Sequence, residues 1–274
     1  NERRSRYFHV FFHYHNIKYA WSSRVDSFAR VHALDRGHTL EELATRFTGY
    51  SEAKRESMTV LHGPNSIDVE VKSYAKLLFE EVLNPFYVFQ VFSIILWSFD
   101  NYIAYATCIF VISVIGIATS LYQTRKQSQA LHDMVASSSH LSVLISRDLE
   151  SDDLEEIESH TLVPGDIVAI PQQGCTMTCD AVLLSGSCIV NESMLTGESV
   201  PVTKTVLPAA DGAGGDAYHP EVHARHTLFA GTSVIQTRNY SGRTVLAVVT
   251  RTGFSTSKGE LVRSILYPKP IGFK

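Results

Sequence analysis

Charge disappears from two neighbouring stretches of the chain. Val82–Ser98 ("VLNPFYVFQVFSIILWS") carries none, and after Phe99, Asp100 and Asn101 neither does Tyr102–Tyr122 ("YIAYATCIFVISVIGIATSLY"). Runs of about 17 and 21 uncharged residues match helices that cross a hydrocarbon core of roughly 30 Å. The first is short, and Leu77, Leu78 and Phe79 extend it only by taking Glu80 and Glu81 along. Pro85 is expected to kink its first turns, since proline removes a backbone donor and crowds the preceding turn. With so short a connection, the pattern predicts a transmembrane α-helical hairpin. Lys72 and Lys76 precede it and Arg125 and Lys126 follow it, which puts both flanks in the cytosol. Trp97, Tyr102 and Tyr105 fall where an interfacial aromatic belt belongs on the other side. A buried hairpin of a soluble protein is the competing reading, disfavoured because two adjacent charge-free runs are rare there.

On either side of these runs the pattern is different. "RYFHVFFHYHNIKYAW" is aromatic and β-branched and reads as a strand or two. "HTLEELATRFTGYSEAKRESM" reads as short helices, with Thr39 as N-cap and Glu42 completing a capping box. "HGPNS" is a turn. "RKQSQALHDMVASS" continues the second apolar helix into the cytosol. Beyond it, short apolar runs alternate with turn residues: "LSVLIS", "HTLV", "DIVAI", "CDAVLLSG", "SCIV", "HTLFAGTSVIQT" and "TVLAVVT". That is an all-β pattern. Val163–Asp166 ("VPGD") is a turn feeding a strand, "RNYSG" closes a hairpin at Gly242, and Leu207–Tyr218 is a loop too small-sided to pack. Asp148–Glu158 reads as a solvated connection between strands.

Composition narrows the class. The chain has 274 residues and a net charge of −4, without a Lys- or Arg-rich run, so no nucleic-acid partner is expected. Cys108, Cys175, Cys179 and Cys188 lack the spacing of a four-ligand zinc site and read as reduced thiols in the cytosol. The chain starts at Asn1, without a secretory signal, and reads as a piece of something longer. His9, His13 and His15 share a strand face, and His219, His223 and His226 share helical spacing. No carboxylate or cysteine completes either set, so no metal is assigned. Two glycosylation sequons, at Asn191 and Asn239, would matter only if the β region were luminal.

The most pointed chemistry lies in "NESMLTGESVP" (Asn191–Pro201). Gly197 frees the backbone for a turn, the hydroxyls of Thr196 and Ser199 can bond to it, and Glu198 projects from the tip. The residues alone leave a solvated surface glutamate as the plain reading. A serine-hydrolase elbow is a weak alternative, because Pro201 replaces the second glycine of G-x-S-x-G. No phosphate-binding G-x-x-x-x-G-K-[ST] occurs.

Taken together, "VPGDIVAI", "CDAVLLSGSCIVNESMLTGESVPVTKT" and "RTGFSTSKGELVRSILYPKP" resemble the P-type ATPases, whose actuator domain carries a T-G-E-S loop. The resemblance covers nearly the whole chain and is most specific from Pro164 through Lys204. "EEVLNPFYVFQVFSIILW" looks like the type V branch, and more like its B group of late-endosomal and lysosomal polyamine exporters than its A group, which extracts membrane helices. Thr178 departs from the proline of many relatives, which is expected to alter local rigidity only.

This resemblance implies a membrane protein: a transmembrane hairpin plus a cytosolic β-rich actuator domain of distorted jelly-roll type, with short N-terminal strands and helices. It implies a cytosolic segment over 1–75, the hairpin over 76–124, the actuator over 125–262 and a linker over 263–274 toward a third membrane helix. By the same resemblance Glu198 is the catalytic residue that positions and deprotonates water at an aspartyl phosphate, with Thr196, Gly197 and Ser199 shaping the loop. ATP and Mg2+, the phosphorylation and nucleotide-binding domains, membrane lipids and a polyamine or cation substrate are the implied cofactors and partners. The D-K-T-G-T phosphorylation site is absent from these residues, so this chain alone is expected to be inactive. A membrane-anchored β module that binds a partner without catalysis stays open as the alternative.

Overall fold

The computed structural model describes residues 10–22, 26–69, 73–100, 102–136, 141–147, 153–208, 215–239 and 242–268. His9, Lys72, residues 148–152, most of the loop before Tyr218, Tyr240 and the end of the 263–274 linker lie outside these. Strands β1 (Phe11–Tyr14), β2 (Ile17–Ser22) and β3 (Ser27–Arg30) come first, then helices α1 (Leu40–Thr45) and α2 (Glu52–His62). Helices α3 (Tyr74–Val82), α4 (Pro85–Phe99) and α5 (Ile103–Ala136) follow. The remainder runs β4 (Ser142–Ser146), β5 (Leu154–Glu158), β6 (Ile167–Ile170), β7 (Cys175–Thr176), β8 (Asp180–Leu183) and β9 (Ser187–Asn191). It continues with α6 (Ser193–Thr196), β10 (Val202–Thr205), β11 (Thr227–Leu228), β12 (Ser233–Arg238), β13 (Val245–Arg251) and α7 (Ser257–Leu266). Residues 68–136 form one unit, and residues 1–67 with 137–274 form the other.

In the β unit, two antiparallel sheets face each other: β10-β9-β12-β7 and β11-β8-β13-β6-β4-β5. Alternation along the central strands decides what each face meets. Val168, Ala181, Leu183, Ala247 and Val249 point toward Cys188, Val190 and Val234 of the smaller sheet, and all are buried. Their neighbours Ile167, Val182 and Val248 point the other way, where Leu34, Leu40, Leu43, Phe47 and Tyr218 cover them. The central strands are therefore apolar on both faces, and the segment before residue 67 is part of the core. It does not extend either sheet. It forms its own meander, β1-β2-β3, around an aromatic face in which Phe12 stacks on Tyr19 at 5.1 Å and Trp21 meets Phe28 edge-on at 5.2 Å. His15 and Asn16, both at positive φ, make the tight turn that suits strand twist.

Polar contacts hold this segment down. The Thr39 hydroxyl accepts from Glu42 N–H while the Glu42 carboxylate accepts from Thr39 N–H, so the capping box forms. Arg55 pairs with buried Asp166 at 3.2 Å and donates to the Thr161 carbonyl. In the "HGPNS" turn, Asn65 donates to the Ser159 and Thr178 carbonyls and accepts from Gly253 N–H at 2.8 Å. Thr178 serves there through its carbonyl, which a proline would supply equally.

Four expectations for the β unit need correction, beginning with the loop Leu207–Tyr218, whose two end residues are buried in the core. "HTLV" begins as a 3-10 turn over Ser159–Thr161, because Leu162 N–H bonds back to the Ser159 carbonyl. "RNYSG" does not close a hairpin, since β12 pairs with β9 and β7 whereas β13 pairs with β6 and β8, so the turn passes from one sheet to the other. The acidic stretch is more than a connection. Leu154–Glu158 is an edge strand whose outward glutamates blunt its open side, with Glu155 held by Arg147 at 2.6 Å.

In the helical unit, α5 runs unbroken to Ala136, and Ile103–Asp133 is long and apolar enough to cross a membrane. Pro85 does not kink a single helix. It starts a new one at its first position, with the Asn84 side chain accepting from Phe86 N–H, and α3 meets α4 at 65°. Only α3 and α4 together reach spanning length. Ser113 donates to Gln90 at 2.6 Å, Ser120 donates to Glu81, and Trp97 packs on Tyr102. The paired residue numbers fall on one side as they rise on the other, so both shorter helices run antiparallel to α5.

Candidate functional site

The loop Glu192–Pro201 joins β9 to β10, which pair as a hairpin with Val190 opposite Val202. Its first residues wind into the single turn of α6. Ser193 N–H bonds to the Asn191 side chain, and the Glu192 carbonyl accepts from the N–H groups of Leu195 and Thr196. The turn ends at Gly197, whose φ of 78° is left-handed, and its N–H returns to the Ser193 carbonyl. A side chain at Gly197 would meet open space, so the glycine is required by backbone conformation and not by crowding.

Past this reversal the chain is held by one hydroxyl. Thr196 Oγ1 donates to the Glu192 carbonyl and accepts from Glu198 N–H, each at 3.2 Å. Thr196, Gly197, Glu198, Ser199 and Val200 are all exposed. The structure thus places the four sequence-selected residues on one exposed turn. Met194 and Val200 are exposed apolar side chains on the same loop. An open groove beside the loop is lined by Leu195, Thr196, Phe229 and the carboxylates Glu192, Glu221 and Glu260.

Beneath the exposed turn lies what sequence reasoning missed. Lys204 of β10 is 1% exposed, and its ammonium sits 2.6 Å from Glu192 Oε1 and donates to the Ala224 carbonyl at 2.8 Å. The available signal was a lysine inside a β-pattern "VTKT", two positions from Val202. Further in, Asp180 is fully buried and accepts from Arg251, Ala230 N–H and Ser257 N–H, tying β8, β13 and the start of α7 together. Burial pushes the Cys175 thiol up to about 11 and Cys188 up to about 12, which keeps both protonated near neutral pH. All four cysteines are free.

The three histidines His219, His223 and His226 do not gather. His223 Nδ1 bonds within the His219 backbone, whereas His226 Nδ1 bonds to the Thr205 carbonyl. Among the described residues no three His, Cys, Asp or Glu groups could hold a metal ion.

Comparison with known proteins agrees with this architecture. Residues 140–266 match the P-type ATPase actuator domain. The chain is 53% identical over 269 residues to polyamine-transporting ATPase 13A3 of Mus musculus, covering 96% of this chain and 22% of that protein. It is 50% identical over 257 residues to polyamine-transporting ATPase 13A2 of Homo sapiens, covering 94% of this chain and 21% of that one. The chain thus spans about a fifth of the length of these relatives. With its T-G-E-S turn lifted off a two-sheet β unit that this match encloses, the chain belongs to the P-type ATPases and carries their actuator domain.

Proposed function

We propose that Glu198 is the general base that ends the phosphorylated stage of an ATP-driven polyamine transporter. The observation that carries this is the turn itself: an exposed carboxylate directly after a left-handed glycine reversal. Docked there, Glu198 takes a proton from water while the water oxygen attacks phosphorus. The bond from phosphorus to the aspartate oxygen breaks, leaving inorganic phosphate and a free carboxylate. The aspartate, ATP and Mg2+ belong to parts of the whole protein beyond these residues.

The names of the relatives support polyamine as the substrate, and export from late endosome or lysosome to cytosol is the transport we infer. A cation in general, or helix extraction as in the A group, is the competing assignment. The helical unit would be a membrane hairpin in contact with lipid, supported by its exposed apolar surface and by α5. The two opposed antiparallel sheets support a distorted jelly-roll on the cytosolic side.

The test is Glu198→Gln in the full-length protein. Glutamine keeps the size but takes no proton, so phosphorylation should proceed and dephosphorylation should slow by about 10²–10⁴-fold. Phosphoenzyme after a radioactive ATP pulse and cold chase measures it. Loss of phosphate at the parent rate would leave Glu198 a surface glutamate.

A further inference from the structure

We infer that Lys204 and Glu192 form a clamp across the neck of the T-G-E-S loop and act as positioning residues for Glu198; this rests on Glu198 being the base. Glu192 opens the loop and Lys204 closes it on the returning strand, so their 2.6 Å contact spans the stem. From there a continuous chain of contacts reaches the base. Lys204 holds the Glu192 side chain, the Glu192 carbonyl holds Thr196 N–H and Oγ1, and Thr196 Oγ1 holds Glu198 N–H. The Lys204 ammonium also donates to the Ala224 carbonyl, which anchors the clamp to a separate segment, and the Phe229 ring lies 5.1 Å from the ammonium.

Stability alone is a poor reason for this pair. Lys204 and Glu192 are 1% and 8% exposed, and a buried ion pair is often no more stable than apolar residues of the same volume. What apolar residues lack is direction. The ion pair, with the ammonium's hydrogen bond to the Ala224 carbonyl, fixes where the first turn of α6 begins, and misplacing a reacting group by about 1 Å can cost on the order of 10²-fold in rate.

The experiment uses the full-length protein with Glu192→Met/Lys204→Met, which removes both charges and keeps the volume. Lys204→Met alone strands Glu192 and could unfold the domain, so the double variant decides. Glu198→Gln runs in parallel, and each variant is melted. The clamp predicts a double variant that melts like the parent, phosphorylates at the parent rate and loses phosphate about tenfold more slowly. Its kcat should fall while kcat/KM for ATP holds, since only a step after phosphorylation is slowed; a loss of folded enzyme would lower both alike. A double variant that chases at the parent rate, or whose kcat and kcat/KM fall together, overturns the clamp. If Glu198→Gln retains phosphate while the double variant releases it normally, only the clamp falls. If Glu198→Gln also releases it normally, the clamp and the reading of Glu198 fall together.

Discussion

The two units of this chain solve opposite solvent problems with similar residues. In the helical unit Phe89 is 67% exposed and Ile112 66%, whereas in the β unit Val182 and Val248 are both at 0%. Backbone pairing explains why the same apolar side chains serve both. Each helix satisfies its own peptide groups and can face a bilayer on every side. The strands satisfy theirs with neighbours, so their two faces must be covered by protein. One face is covered by the second sheet, and the other by the N-terminal segment.

The largest break in this comparison is to remove that cover. Deleting residues 10–67 from the β unit would expose the face on which Leu34, Leu40, Leu43 and Phe47 pack. At about 1.5–3 kcal/mol for each buried side chain, the loss is on the order of 6–12 kcal/mol, comparable with the whole stability of a typical domain. Residues 137–267 alone should give a broad, non-cooperative melt, and the same residues with 10–67 supplied should melt sharply. An equally cooperative melt without the segment would show that the second face needs no cover. A smaller break lies within the core, where Asp180→Ala leaves Arg251 buried without its main partner. That change should cost about 3–5 kcal/mol, read from chemical denaturation of the β unit.

These effects mark what the sequence could and could not disclose. The charge-free runs, the β alternation, the capping box and the turn at Gly197 are local patterns, and each was legible from neighbouring residues. Coverage of the sheet by Leu40 and Leu43 is a contact between positions more than a hundred residues apart, and no local period reports it. The same holds for the clamp. Glu192 reads as a polar loop residue and Lys204 as a solvated strand residue until their pairing is seen. Turns misled where they change sheets, because "RNYSG" has hairpin chemistry whether its strands pair or part. The T-G-E-S turn was legible mainly because its motif is specific to a family.

The helical unit offers a sharper discriminator. Ile112 is on α5 and exposed, so in water an arginine there should be nearly neutral to stability. Facing lipid near a helix centre, the same arginine costs about 2.5–3.5 kcal/mol. Ile112→Arg should therefore reduce membrane integration in a translation and insertion assay while Ile235→Arg, on an exposed strand position, should not. Equal integration of both variants would make the apolar helical surface a protein contact instead.

The smallest expected effect concerns how the cover is started. Thr39 caps α1, which brings Leu40 and Leu43 onto the sheet, so Thr39→Ala should destabilise the β unit by about 1 kcal/mol. The other half of the box titrates. Glu42 is held below the ordinary carboxylate range, first by the Thr39 N–H and then by His38. A depressed carboxyl contributes stability above its unfolded value, near 4.3, and loses that contribution as pH falls through the folded value. The melting difference between the parent and Glu42→Gln should thus be present at pH 7 and shrink as the pH drops from about 5 toward 3. Glutamine can still accept from Thr39 N–H, so the difference isolates the charge and not the hydrogen bond. A gap between the two melting curves that stays constant across that window would mean that the carboxylate's charge adds nothing to the cap.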